Sequence, residues 1–241
     1  MRPWSPIPID DNGEPMADLP PSLRRIEPHP YQALGAPYGQ LGSPFRLRQG
    51  VVERLLRAEA LLQREQPQWR LAIFDAWRPV AVQQFMVDHA ISSECLKRGI
   101  EPLQPSPMRE LVVAEVGRFW APPSLDPAMP PPHSTGGAVD LTLADASGEL
   151  LAMGGEIDAI GAVSEPDHHA EAARLDPAGE AGLWHGRRQL LRQVMEGAGF
   201  RQHPNEWWHF SHGDQLWAWR SGSPTAIYGR APEGEAVAPP G

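Results

Sequence analysis

The sequence predicts an α+β fold with a mainly antiparallel central sheet flanked by helices, and three observations carry that expectation. Stretches with apolar residues at helical spacing come first, and strand-like and helical stretches mix in the second half. No regular strand–helix–strand alternation or internal repeat runs through the 241 residues. At 41% apolar composition the chain can bury one substantial core, so a single domain over residues 1–241 is expected.

The elements follow in chain order. Residues 3–45 are rich in Pro and Gly and are read as irregular, although Tyr31, Tyr38 and Phe45 suggest that part of the segment wraps the core. Residues 48–65 carry Val51, Val52, Leu55, Leu56, Ala58 and Leu62 at helical spacing, with Arg and Glu opposite, which predicts an amphipathic helix. Trp69 to Phe74 reads as a short strand ending at Asp75-Ala76-Trp77-Arg78-Pro79. Pro79 is placed to open a helix over 80–97, and Cys95 within it is a packing residue. A helix over 108–120 precedes the Pro-rich end of the 102–132 stretch. Residues 138–143 alternate, with Val139, Leu141 and Leu143 on one face and Asp140 on the other, which predicts a half-buried strand. A last helix over 183–198 stops at Gly197 and Gly199, strand-like residues 200–210 follow, and the tail from Ala231 to Gly241 is expected to be disordered.

Composition excludes several functions. A formal charge of -9 without clustered Lys and Arg argues against nucleic acid as a partner. One cysteine rules out an intrachain disulfide and a Cys-based zinc cage. The chain shows neither an apolar secretory stretch near Met1 nor a run of about 18 apolar residues, so no membrane association and a cytoplasmic location are expected. A homo-oligomer remains compatible with the sequence.

Two segments carry chemistry. His133-Ser134-Thr135-Gly136-Gly137-Ala138-Val139-Asp140 brings a histidine on a glycine-softened loop into a strand that presents a carboxylate. Glu206-Trp207-Trp208-His209 adds another histidine and another acid after the turn-forming His203-Pro204-Asn205. Two His and one Asp suffice for a catalytic zinc site with an open position, and a spare Glu can move protons beside it. The same residues also suit an ordinary polar core. Positions three apart on a regular strand face opposite sides, so Glu206 and His209 share a site only if the strand begins or bulges between them. His168 and His169 are read as structural or surface residues, and His203 and His212 as candidates to orient a ligand.

Taken together, these motifs, with Met153-Gly154-Gly155-Glu156-Ile157-Asp158, resemble the D-alanyl-D-alanine dipeptidases of the D,D-peptidase and hedgehog-like superfamily, over about Tyr31 to Trp219. The resemblance implies one zinc per chain held by His133, Asp140 and His209, with Glu206 as catalytic base. It implies that Arg78 stabilises the tetrahedral intermediate, a role alternative to a plain salt bridge with Asp75, and that Asp158, helped by Tyr31, holds the ammonium of a small dipeptide substrate. Pro131-Pro132 departs from the serines usual before the first ligand. A D,D-carboxypeptidase acting on peptidoglycan stem peptides and a non-catalytic zinc-binding module of the same fold are the alternatives.

Overall fold

The structure, a computed structural model, describes residues 2–233 apart from the side chain of Gln40. The N-terminal segment contains β1 (Met16–Asp18), β2 (Arg24–Arg25) and a one-turn helix α1 (Pro30–Ala33), followed by β3 (Arg46–Arg48). Most of residues 3–45 is irregular, with short elements set within it. These strands are two or three residues long, too short to show a period, and they exist because neighbours supply their hydrogen bonds. β1 pairs antiparallel with β3, and Leu19 and Leu23 fix the chain in the core.

The amphipathic stretch forms α2 (Gln49–Glu65), and its apolar stripe of Val51, Leu55, Ala58 and Leu62 is buried. After it come β4 (Arg70–Asp75), α3 (Val80–Lys97) and α4 (Pro107–Phe119). Ser106 caps α4 by accepting from Arg109 N at 3.1 Å, with Pro107 at the first helical position. β5 (Ala138–Ala144) lies at the centre of the sheet; α5 (Ala170–Leu175) and α6 (Glu180–Gly197) follow. The last elements are β6 (Arg201–Gln202), β7 (His209–Ser211) and α7 (Gln215–Ser221).

The central sheet has the order β2-β4-β5-β7-β6, antiparallel throughout except for the β2–β4 pair, which is parallel. β5 was expected to be half-buried and is buried along its whole length. Val139, Leu141 and Leu143 face the core with Leu191, Val194 and Met195 of α6, while Asp140 on the opposite face is covered by His133, His209 and Arg78. A second apolar cluster joins Tyr31 and Tyr38 to Val82, Met86, Val112, Val116 and Trp120 on α3, α4 and their flanks, and Cys95 is buried within it.

The strand-like stretch 200–210 is two short strands. β6 and β7 pair antiparallel, and residues 203–208 form the loop between them. Ala231, expected at the start of a disordered tail, is buried and its N–H donates to Ser134 O at 2.8 Å; residues 234–241 lie outside the described residues. Among the described residues, no helix is long and apolar enough to cross a membrane.

Candidate active site

Strand register builds the site. Asp75 on β4 pairs with Asp140 on β5, and Asp140 pairs with His209 on β7, so one row of side chains crosses three strands on one face of the sheet. A register shift between Ile73 and Asp75 brings Asp75 into that row. His133 reaches it from the 3-10 turn Pro132–Thr135, which ends at Gly136 with φ 73°, a left-handed conformation that favours glycine. Next to it, Gly137 lies so close to β7 that a Cβ would sit 2.5 Å from His212 O.

Three ligand-type groups converge. His133 Nε2 lies 3.2 Å from Asp140 Oδ2 and 3.2 Å from His209 Nδ1, and His209 Nδ1 lies 3.0 Å from Asp140 Oδ1. Donor atoms around a tetrahedral ion at about 2.0–2.1 Å stand about 3.3 Å apart, so this spacing fits one small divalent cation. The groups behind the rings agree. His133 Nδ1 donates to Ala76 O at 2.7 Å, and His209 Nε2 meets Ser211 Oγ at 3.2 Å, which in turn donates to Asp214 Oδ2 at 2.7 Å. Each ring thereby carries its proton on the outer nitrogen and directs a lone pair inward. The buried Asp140 Oδ1 has no hydrogen-bond donor, which is further reason to read the cluster as a cation site.

Glu206 sits in the β6–β7 loop, not on the strand, with Oε2 3.5 Å from His209 Nδ1 and Oε1 3.4 Å from His203 Nδ1. β7 begins only at His209, which is how residues three apart share one site. Burial first, and then the Asp140 charge, push the Glu206 carboxyl up to about 8. His203 is buried edge-on to His209, and burial depresses its ring well below the ordinary histidine range.

Arg78 makes both the salt bridge and the active-site contact. Its Nε and Nη2 donate to Asp75 Oδ2 at 3.0 and 2.8 Å, Nη1 donates to Gln83 Oε1 at 2.9 Å, and Nη2 lies 3.3 Å from both Asp140 Oδ2 and Tyr31 OH. The guanidinium is sandwiched by Tyr31 and Trp120, whose ring centroids lie 4.9 and 5.1 Å away. Asp75 is fully buried and also accepts from His29 Nε2 and Tyr38 OH, both at 3.0 Å. The sequence assigns no role to His29 or Gln83 and marks Tyr38 only as a core-wrapping residue, because nothing local marks a residue that acts by orienting an arginine.

Asp158 accepts from Tyr31 OH at 2.8 Å and adopts φ 65°, unusual for a residue with a side chain. Burial, and then the Asp140 charge, push its carboxyl up to about 7. Asp158, Arg78, His133, Asp140, Glu206 and His209 all line one pocket. Tyr31 touches the pocket from behind through Asp158 and Arg78. His169 is buried elsewhere, with Nε2 2.8 Å from Gly154 O, and His168 is exposed.

A family model described as D-ala-D-ala dipeptidase matches residues 24–224. The D-alanyl-D-alanine dipeptidase of Synechocystis sp. is 44% identical over 224 residues, spanning 91% of this chain and 90% of that protein. That of Escherichia coli is 40% identical over 78 residues, 32% of this chain and 36% of that protein. Among solved structures, the vancomycin-resistance D,D-pentapeptidase VanY in complex with Zn(II) superposes with a TM-score of 0.45 at 14% identity, covering 88% of this chain and 90% of that one. On the family match and the extended identity to the Synechocystis relative, the chain belongs to the D-Ala-D-Ala dipeptidase family of peptidases.

Proposed function

We propose that the chain hydrolyses D-alanyl-D-alanine or a closely related free dipeptide, with one zinc ion per chain held by His133 Nε2, Asp140 and His209 Nδ1. The observation that carries this reading is the convergence of those three groups with Glu206 on one side and Arg78 on the other. Zinc at such a site polarises a carbonyl and lowers the pKa of water.

The chain's own residues supply the rest. Glu206, buried and with a raised carboxyl pKa, takes a proton from the attacking water and returns it to the leaving amine, since a base titrating near neutrality can do both. Arg78 is held rigid by Asp75 and Gln83, so its charge is already in place when the carbonyl oxygen becomes anionic. Asp158, with Tyr31 donating to it, receives the substrate's ammonium. Longer peptides carry a neutral amide there and lose that ion pair, so the arrangement favours a free dipeptide over a pentapeptide stem.

Glu206→Ala separates the roles. The variant is expected to retain zinc by elemental analysis and to lose hydrolysis of D-Ala-D-Ala, whereas His209→Ala should lose zinc and activity together. Retained activity in both variants overturns the site assignment. Preference for a pentapeptide substrate in the wild type overturns the dipeptidase reading.

A further inference from the structure

The segment ahead of β1 is tied down beside the active-site pocket. Trp4 is buried edge-on to His203 at 5.5 Å and packs on Trp219, while Gln215 Nε2 donates to Ser5 O and Ile7 O at 3.2 and 2.6 Å. Those contacts fix Arg2, which lines the same pocket as Arg78, Asp158 and Glu206. Its Nη1 lies 3.2 Å from His203 Nε2 and its Nη2 donates to Gly117 O at 3.3 Å.

Neither partner is an anion. Among the described residues, no carboxylate lies within ion-pair distance of Arg2, and burial lowers its pKa while the more distant Glu206 raises it. A guanidinium has five donors in a planar fork, and a half-buried one without an anion gains most from a carboxylate that can take two of them. Pro132, the pocket wall next to His133, has neither a backbone N–H nor a hydroxyl to offer. The pocket therefore holds an acid, Asp158, beside Tyr31, and an uncompensated cation beside His203. A free dipeptide carries the complementary pair of charges.

We propose that Arg2 is a specificity determinant that receives the free C-terminal carboxylate of the dipeptide. The inference rests on the dipeptidase reading and adds a residue that lies outside the span 24–224 matched by the family model. It also makes the N-terminal segment part of the substrate site.

The test compares D-Ala-D-Ala with its C-terminal amide on the zinc-loaded full chain, in wild type, Arg2→Met and Arg2→Lys. Wild type should favour the free acid. In Arg2→Met the ratio of kcat/KM for acid over amide should fall about tenfold or more, mainly through KM, as expected when a charge-assisted contact of about 1.5–3 kcal/mol is lost. Arg2→Lys should recover part of the ratio. Calorimetric Kd values for both compounds, measured in a Glu206→Gln background with and without Arg2→Met, should show the same selective loss. A ratio unchanged in Arg2→Met overturns the proposal. So does an equal loss on both substrates with a shifted acid limb of kcat, because that result assigns Arg2 to tuning Glu206. If wild type cleaves neither compound the dipeptidase reading fails, and the calorimetric comparison still decides the role of Arg2.

Discussion

Individual residues in this site work through what holds them. Asp158 has its raised pKa because it is buried near Asp140, and Tyr31 OH supplies its hydrogen bond. Pairing with a substrate ammonium requires the ionised form, so KM for the dipeptide is expected to fall as pH rises through about 7. Asp158→Asn should raise KM about 10- to 100-fold and remove that pH dependence, measured as initial rates between pH 5.5 and 8.5. At this scale the sequence was partly legible. The motifs containing His133, Asp140, Glu206 and His209 could be found because the ligands sit within short recognisable segments. Arg2, His29 and Gln83 could not, since each is isolated in sequence and meets the site only through the folded chain.

At the level of elements, the helices 48–65, 80–97 and 108–120 were legible within one or two residues because their apolar periodicity extends over several turns. β1 and β2 were hidden because two or three residues have no measurable period. β5 was misjudged as half-exposed because alternation distinguishes faces but does not reveal that a polar face can be buried under other polar groups. The join between the His133 turn and β5 is the element most sensitive to change. Gly137→Ala would place a methyl 2.5 Å from His212 O, a backbone atom that can move only if β7 moves with it. Separation of β7 from β5 would pull His209 from Asp140. The variant is expected to bind zinc at least tenfold more weakly while keeping its far-UV circular dichroism, with competition against a chromophoric chelator as the measurement.

Over the whole molecule, two apolar clusters meet at the site. Trp208 belongs to the cluster between the sheet, α2 and α6, and Trp120 to the cluster under α3 and α4, and both line the pocket. Global stability should respond to acid through a histidine packed among Phe200, Trp217 and Tyr228. His212 is buried, donating from Nδ1 to Gly199 O at 3.0 Å, and burial carries its pKa down to about 4. The unfolded chain takes up that proton below about pH 6.5 and the folded chain only near 4, so stability contributed by the neutral ring is present above about 6.5 and is lost as pH falls toward 4. His212→Asn retains a donor for Gly199 O without the titration. Its urea midpoint should drop less than that of the wild type between pH 7.5 and 5.

The row Asp75–Asp140–His209 has a further consequence for how the protein matures. Because neighbouring positions on a strand point to opposite faces, a one-residue slip of β5 against either neighbour would turn the aspartate into the hydrophobic layer and a valine or leucine toward the imidazoles. A β5–β7 ladder zipped out of step would therefore have no place for the ion, and an ion held by Asp140 and His209 together would lock that ladder in step. Metal loading would thus double as a check on the pairing of β5 with β7.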